Sequence, residues 1–311
     1  MTNRLEQLKK EKNAIIIAHY YQEPEIQDVA DYVGDSYGMA LYARKTKASI
    51  AVVAGVRFMA ETLKVMNPEK KILLPDMNAG CSLADSCTPE IFSYFLKKHP
   101  GAFVMTYVNS SLEIKAMSDV ICTSSNAVTI AQKVPKNKEI VFGPDQHLGK
   151  YISKKLGRPL ALFPGSCFVH MSFSVKEMIR LKMKHPEAEI IAHPECEEAI
   201  LAQADFIGST SQLLEHTKKS PPQTFIVMTE TGILHQMKKQ SPAKEFILGP
   251  DLEGCACNNC PHMKLNTLEK LVDCLEKETP EMKIDPAIAA KALIPLERMV
   301  EMAGNSEKAI S

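Results

Sequence analysis

The sequence predicts an α/β protein built from three similar units, each a small parallel four-stranded sheet covered by helices. Short runs rich in Val, Ile and Leu alternate with amphipathic segments, which is the pattern of parallel strands joined by helices. The same order of landmarks also recurs: Tyr107 follows His19 by 88 residues, and His193 follows Tyr107 by 86. This step is too long for a solenoid repeat, so each copy is interpreted as a small domain.

Further landmarks keep the same spacing in each copy. They are Asp31, Asp119 and Asp205 before the second strand, Ser36, Ser124 and Thr210 after it, and Pro75, Pro164 and Pro250 after the fourth strand. We therefore predict three αβα units at residues 1–86, 87–172 and 173–262, related by a pseudo-threefold axis. Residues 263–311 are predicted to be C-terminal helices that pack back on the first unit.

Composition excludes several classes of partner. The chain has 37 basic and 37 acidic residues, so no overall positive charge favours nucleic acid or an anionic membrane. No apolar run approaches the roughly 18 residues of a membrane span, and the run at residues 14–18 is too short for a signal-peptide core. We expect a cytoplasmic protein with neither partner. Nine cysteines in that reducing compartment favour metal-binding or catalytic thiols over disulfides.

Polar residues follow the first strand of every unit. Ligands of parallel sheets bind beyond the carboxyl ends of the strands, so three such ends facing one centre predict one shared site. The residues concerned are His19, Tyr21, Tyr107, Asn109, His193 and Glu195. A His–x–Glu pair can divide general acid and base work near neutral pH. The hydroxyl residues after the second strands are expected to be helix N-caps, ligands for carboxylate or phosphate, or both.

Each loop after a fourth strand supplies at least one thiol. Cys81 and Cys167 lie in the first two loops, and Cys255, Cys257 and Cys260 lie in the third. Three loops that meet could present three thiolates to one metal centre, such as an iron–sulfur cluster with one open iron. The alternatives are that Cys81 and Cys167 are small buried side chains, and that the C-x-x-C pair is half a zinc site or a redox dithiol. The remaining cysteines of interest, Cys122, Cys196 and Cys274, are interpreted as packing residues.

Motifs along nearly the whole chain match one family. They are AHYYQ at 18–22, QDVADYVGDS at 27–36, FMAETLK at 58–64, YVNSS at 107–111, VICTSSNAV at 120–128, GPDQHLG at 143–149, AHPEC at 192–196, GST at 208–210, TETG at 229–232 and CPHMKLNTLE at 260–269. By these motifs the chain resembles the quinolinate synthases, the A proteins of NAD biosynthesis.

The resemblance implies three homologous αβα domains around a central, oxygen-sensitive [4Fe-4S] cluster held by Cys81, Cys167 and Cys260. It also implies the reaction, in which iminoaspartate condenses with dihydroxyacetone phosphate and loses phosphate and two waters to give quinolinate. The third loop here reads C-x-C-x-x-C, which departs from the C-x-x-C-x-x-C of three-cysteine relatives. The roles of Cys255 and Cys257 are therefore left open.

The resemblance further implies roles for the polar residues. Tyr21, Tyr107, His193 and Glu195 would move protons. The carboxylates and the phosphate would be held by His19, Ser36, Asn109, Ser124, His170, Ser209 and Thr210. L-Aspartate oxidase or aspartate dehydrogenase would be a functional partner that supplies the imine. Two other hypotheses are a different [4Fe-4S]-dependent hydro-lyase and a redox-sensing thiol protein.

Overall fold

The computed structural model describes residues 1–250 and 258–304, and in these it has three parallel sheets. The first segment contains α1 (Thr2–Glu11), β1 (Ala14–His19), α2 (Pro24–Val29), β2 (Tyr32–Gly34), α3 (Ser36–Lys45), β3 (Ile50–Ala54), α4 (Arg57–Met66), β4 (Lys71–Leu73) and α5 (Ser82–Asp85). The second contains α6 (Pro89–Lys97), β5 (Phe103–Tyr107), α7 (Leu112–Ala116), β6 (Val120–Cys122), α8 (Ala127–Gln132), β7 (Ile140–Gly143), α9 (Gln146–Leu156), β8 (Ala161–Leu162) and α10 (Phe168–Met171).

The third segment and the tail complete the chain. The third contains α11 (Val175–Lys184), β9 (Glu189–Ala192), α12 (Glu198–Leu201), β10 (Phe206–Ile207), α13 (Thr210–Lys219), β11 (Thr224–Met228), α14 (Ile233–Gln240) and β12 (Glu245–Leu248). The tail contains a 3-10 turn (Met263–Leu265), α15 (Leu268–Lys277) and α16 (Pro286–Ala303).

All three sheets have the same strand order. The orders are β2-β1-β3-β4, β6-β5-β7-β8 and β10-β9-β11-β12, and every pairing is parallel. The predicted α/β class with three four-stranded parallel sheets is therefore confirmed. The pseudo-threefold axis and the unit boundaries stay predictions. In this order the second strand lies on one side of the first strand and the third strand lies on the other. The connections on the two sides therefore run in opposite directions, which opens a crevice between the carboxyl ends of the first and third strands.

One local contact is repeated in all three sheets and explains why the aspartate landmarks recur. In each case the aspartate carboxylate accepts a 2.8 Å hydrogen bond from the N–H of a first-strand residue, and the carbonyl of that same residue accepts the aspartate's N–H. The pairs are Ile16 with Asp31, Val104 with Asp119 and Ile190 with Asp205. The double contact fixes the start of the second strand against the first, and register decides which face each side chain occupies.

The strands are apolar because they are buried on both faces. Every residue of β3 and of β11 is buried, as expected for the inner strands of a sheet that helices cover on both sides. One apolar cluster runs through the first and second segments, whereas the third segment has clusters of its own. No helix of the described residues combines the length and the apolar character that a membrane span needs.

The two tail helices pack in different places. Helix α15 contacts α1 and β3 of the first segment. Helix α16 instead lies mainly against α7 and β6 of the second segment and also reaches α4 of the first. Its buried side chains, Ala292, Leu296 and Met299, belong to the apolar cluster that these two segments share. The tail therefore covers the junction between two segments, in addition to the contact with the first segment that the sequence predicted.

Candidate active site

A cavity lies at the carboxyl ends of the strands and takes side chains from all three segments. It is lined by every predicted site residue except Ser209, namely His19, Tyr21, Ser36, Cys81, Tyr107, Asn109, Ser124, Cys167, His170, His193, Glu195, Thr210 and Cys260. Its free volume is about 70 Å³. That is below the roughly 300–1,000 Å³ typical of ligand pockets.

The first strands deliver the central side chains. Strands β1 and β5 end at His19 and Tyr107, and His193 directly follows β9, where its N–H donates to the Met228 carbonyl at 3.1 Å. Burial lowers the pKa of His19 and of His193 to about 3, and it raises the pKa of Tyr21 and Tyr107 well above the usual value. All four groups are therefore neutral, because a charged form loses its hydration in the cavity.

Glu195 contacts the edges of two stacked imidazoles. Its Oε2 is 3.2 Å from His193 Nδ1 and 3.3 Å from His170 Nδ1, and the two rings are 4.6 Å apart at 21°. Burial raises the pKa of Glu195, with the nearby histidines acting in the opposite direction. A carboxyl whose pKa is raised in this way can exchange a proton near neutral pH.

Three buried polar atoms of the cavity lack a hydrogen-bond partner among the residues the structure describes. They are Glu195 Oε1, Asn109 Oδ1 and His170 Nδ1. Buried polar groups of folded proteins are nearly always hydrogen-bonded, so such atoms in one cavity indicate a site prepared for a polar ligand or a metal.

Thr229, directly after β11, links two of the predicted site residues, and the sequence reasoning missed it. Its fully buried hydroxyl is 2.9 Å from the Tyr21 hydroxyl and 3.0 Å from His170 Nε2. Tyr21 also contacts the Thr210 hydroxyl at 3.0 Å. The only sequence signal for Thr229 is its place in the TETG motif at 229–232, at the end of a strand.

Glu230, the next residue, was also missed by the sequence reasoning, because its only sequence signal is again its place in the TETG motif. Its carboxylate accepts the N–H of Gly232 at 2.7 Å and the N–H of Cys260 at 3.1 Å. Lys264 lies 3.4 Å from this carboxylate and donates to the Tyr21 carbonyl at 3.0 Å. Burial raises the pKa of Glu230 to about 7, and Lys264 opposes that shift. The pair ties the Cys260 loop to the turn that carries Tyr21.

The hydroxyl residues after the second strands are not the helix caps that one interpretation expected. Asp35 caps α3 by accepting the N–H of Gly38, and Ser209 caps α13 in a capping box with Gln212. The hydroxyls of Ser36 and Thr210, one residue further on, line the cavity instead. Ser209 is the predicted ligand that does not line it, because its side chain is already engaged with the helix.

The Ser124 hydroxyl also lies in the cavity, at 3.3 Å from His193 Nε2. Helix α8 begins after Asn126, two residues further along the chain. Asn126 Oδ1 accepts the N–H of Thr123 at 2.7 Å, so the turn before this helix is closed without the Ser124 side chain. Its hydroxyl is therefore available to the imidazole and to a ligand.

Three cysteines from three different segments reach the cavity. Burial raises the pKa of the Cys81 thiol to about 12, that of Cys167 well above its usual value and that of Cys260 to a lesser extent. The Cys167 N–H donates to buried Asp145 at 3.2 Å. Cys255 and Cys257 lie outside the described residues. The cysteines interpreted as packing residues, Cys122, Cys196 and Cys274, are buried in apolar clusters.

A second set of possible metal ligands overlaps the first. Cys167 Sγ, one ring nitrogen of His170 and one carboxylate oxygen of Glu195 all lie within 4.8 Å of one another. This set and the three cysteines have Cys167 in common.

Comparison with known proteins supports a family assignment. The family model described as "Quinolinate synthetase A protein" matches residues 3–301. The chain belongs to this family. A protein of Cyanophora paradoxa named quinolinate synthase is 57% identical over 97% of this chain and 92% of its own length. Proteins with the same name from Microcystis aeruginosa and Chloroherpeton thalassium are 56% and 54% identical, each over 96% of this chain and 93% of their own lengths. The resemblance inferred from the motifs is therefore confirmed.

Ser36 and Ser209, at the starts of α3 and α13, should respond differently to substitution. We expect Ser209→Ala to lower the free energy of unfolding by about 1 kcal/mol, because it removes a helix cap. Ser36→Ala should change it by less than about 0.5 kcal/mol, because Asp35 provides the cap of that helix. Urea unfolding of both variants measures the difference. Equal losses would contradict the assignment of the caps.

Proposed function

We propose that this protein is a quinolinate synthase. It condenses iminoaspartate with dihydroxyacetone phosphate and releases quinolinate, phosphate and two waters. The observation that carries the proposal is the single cavity in which acid–base groups, anion-binding hydroxyls and three thiols from three segments meet. The names of the relatives support the same activity.

We further propose that Cys81, Cys167 and Cys260 hold a [4Fe-4S] cluster. The residues are compatible with this group, since one thiol from each of three loops lines the same cavity, and a bound positive centre would stabilise the thiolates that burial alone disfavours. Cys81, Cys167 and Cys260 would hold the cluster, which would supply Lewis-acid chemistry toward a hydroxyl or carboxylate of the substrate. Glu230 and Asp145 hold the N–H groups of Cys260 and Cys167, which positions two of the three loops.

Substrate anions have several neutral donors in the cavity. Ser36 and Thr210 lie in the first turns of ten-residue helices, where backbone N–H groups and the helix dipole favour carboxylate or phosphate. Asn109 and Ser124 offer an amide and a hydroxyl. Because His19 is neutral, it contributes one ring N–H and no charge. Neutral donors of this kind can hold an anion without adding a charge next to the groups that move protons.

Protons are moved by the groups around Glu195. Its carboxyl has one oxygen near both imidazoles and one oxygen without a partner, so the second oxygen can reach a substrate proton. Tyr21 and Tyr107 have hydroxyls that stay protonated and can act as acids toward the leaving oxygens. Neutral His193 accepts the Glu195 N–H at Nδ1 and contacts Ser124 through Nε2.

Thr229 is a positioning residue in this arrangement. With the His170 proton on Nε2, that nitrogen donates to the Thr229 oxygen, and the Thr229 O–H donates to the Tyr21 oxygen, which leaves the Tyr21 proton available to the substrate. A donor–acceptor chain then runs from Tyr21 through Thr229 to His170 and ends 3.3 Å from Glu195. Through this chain Thr229 couples the orientation of the Tyr21 hydroxyl to the tautomer of His170.

The remaining detailed predictions from the sequence are also part of this proposal. The source of iminoaspartate, whether L-aspartate oxidase or aspartate dehydrogenase, and the cytoplasmic location stay predictions. The roles of Cys255 and Cys257, which a redox-sensing protein would require, concern residues outside the described ranges.

The cluster assignment predicts the effect of removing each ligand. Anaerobically purified protein should contain about four irons and four sulfides per chain. Cys81→Ala, Cys167→Ala and Cys260→Ala should each lose them, and Cys274→Ala, a buried cysteine of the tail, should keep them. His170→Ala distinguishes the two ligand sets, because only the set of Cys167, His170 and Glu195 requires it. A cluster that survives both Cys81→Ala and Cys167→Ala would contradict the proposal, as would a colourless zinc protein.

The positioning role predicts that Thr229→Val lowers kcat for quinolinate formation by about 10- to 100-fold with little change in KM, since Thr229 lies behind the cavity lining. Thr229→Ser keeps the hydroxyl and should restore most of the activity. Thr217→Val is the matched control, because that equally buried hydroxyl bonds only the Leu214 carbonyl. Iron content should be unchanged throughout. Equal defects in the Val and Ser variants would assign Thr229 a packing role.

A further inference from the structure

A second cleft, outside the active-site cavity, lies between the second and third segments. One side is a face of α9 that carries His147, Lys150, Tyr151, Lys154 and Lys155. The opposite side carries Glu198, Leu201 and Ile207 of α12 and β10. We call it the α9 cleft. Its volume is about 310 Å³, within the range of small-molecule sites, and it shares no lining residue with the active-site cavity.

The α9 cleft has an excess of positive charge. Lys150, Lys154 and Lys155 are exposed and form no ion pair with any carboxylate in the described ranges 1–250 and 258–304. Glu198 is the one acidic residue of the lining. Lysines on a helix face elsewhere in this protein do find carboxylates, as Lys218 and Lys219 do with Glu215. Three unpaired ammonium groups around a concave site favour an anion, and phosphate is the anion that lysine commonly binds in proteins.

The α9 cleft also has an apolar part. The Tyr151 ring lies between the lysines along the helix face, with the Lys155 ammonium 5.5 Å from the ring centre. Leu201 and Ile207 lie on the other side. An aromatic ring and two aliphatic side chains can hold a flat ring, since aromatic pairs stack with an offset. Inorganic phosphate alone would leave this surface uncovered.

His147 is a buried polar residue in the lining of the α9 cleft. Its side chain is only 8% exposed, and neither ring nitrogen has a hydrogen-bond partner in the part of the chain that the structure describes. A buried polar group without a partner is unfavourable, and a ligand with donor and acceptor atoms would satisfy it. Burial lowers the pKa of His147, so the neutral ring offers one donor and one acceptor.

We propose that the α9 cleft binds a phosphorylated small molecule that carries an aromatic ring, with the chemistry of a nucleoside monophosphate. The lysines bind the phosphate, Tyr151 and the two aliphatic side chains cover the ring, and His147 exchanges hydrogen bonds with the polar middle of the ligand. The site is distinct from the proposed catalytic cavity.

The experiment measures binding of AMP and, separately, of inorganic phosphate to the full chain by calorimetry. The wild type is expected to bind AMP with a Kd below about 1 mM. The double variant Lys150→Glu/Lys154→Glu should weaken this by at least about tenfold. Lys136→Glu/Lys138→Glu makes the same charge change at exposed lysines on another surface of the second segment and should leave the Kd unchanged. Tyr151→Ala should weaken AMP binding but not phosphate binding.

Two results would overturn the proposal. One is the absence of AMP binding to the wild type at about 10 mM. The other is a Kd for the Lys150/Lys154 variant within about twofold of the wild-type value. That result would place the nucleotide elsewhere, including in the catalytic cavity. Equal affinities for AMP and phosphate would overturn the assignment of the ring. No turnover is measured, so the outcome is independent of whether quinolinate is formed.

Discussion

The structure depends on the burial of the carboxyl ends of three parallel sheets in one cavity. Burial removes water from the histidines, tyrosines and thiols there, and its first consequence is that these groups are held neutral. The second is that each polar atom needs a partner within the cavity, which the Thr229 and Glu230 turns partly provide. The atoms left without partners, such as Glu195 Oε1 and Asn109 Oδ1, indicate where a substrate or metal is expected.

Much of the fold could be predicted from the sequence because its signals are local and repeated. Buried parallel strands are short apolar runs, and Asp31, Asp119 and Asp205 recur because each makes the same two hydrogen bonds to the first strand. Most residues that line the cavity could be predicted because parallel sheets place polar side chains at their carboxyl ends, and because the family motifs are specific. His19 and Tyr107 needed only their position at a strand end.

The rest depends on contacts that sequence spacing does not encode. Thr229 meets Tyr21 across 208 residues, and Glu230 meets Cys260 across 30, so neither role follows from a local pattern. The caps of α3 and α13 were assigned one residue too late, because Asp35 and Ser209 precede hydroxyl residues that look equally suitable. Helix α16 covers the junction of two segments because its apolar face completes a cluster that both share. From the sequence alone, the lysines of α9 are expected to form an ordinary solvated helix face. Only the structure places α12 opposite them and so forms a cleft.

The central claim is that this one cavity forms quinolinate. The most direct measurement is to incubate anaerobically prepared, iron-loaded protein with freshly generated iminoaspartate and dihydroxyacetone phosphate, and to quantify quinolinate and inorganic phosphate in the same samples. The proposed function predicts that both appear together in a one-to-one ratio and that Glu195→Gln, which retains the shape of the side chain but cannot exchange a proton, reduces both in parallel. Phosphate release without quinolinate from iron-loaded protein, or full activity of Glu195→Gln, would contradict it.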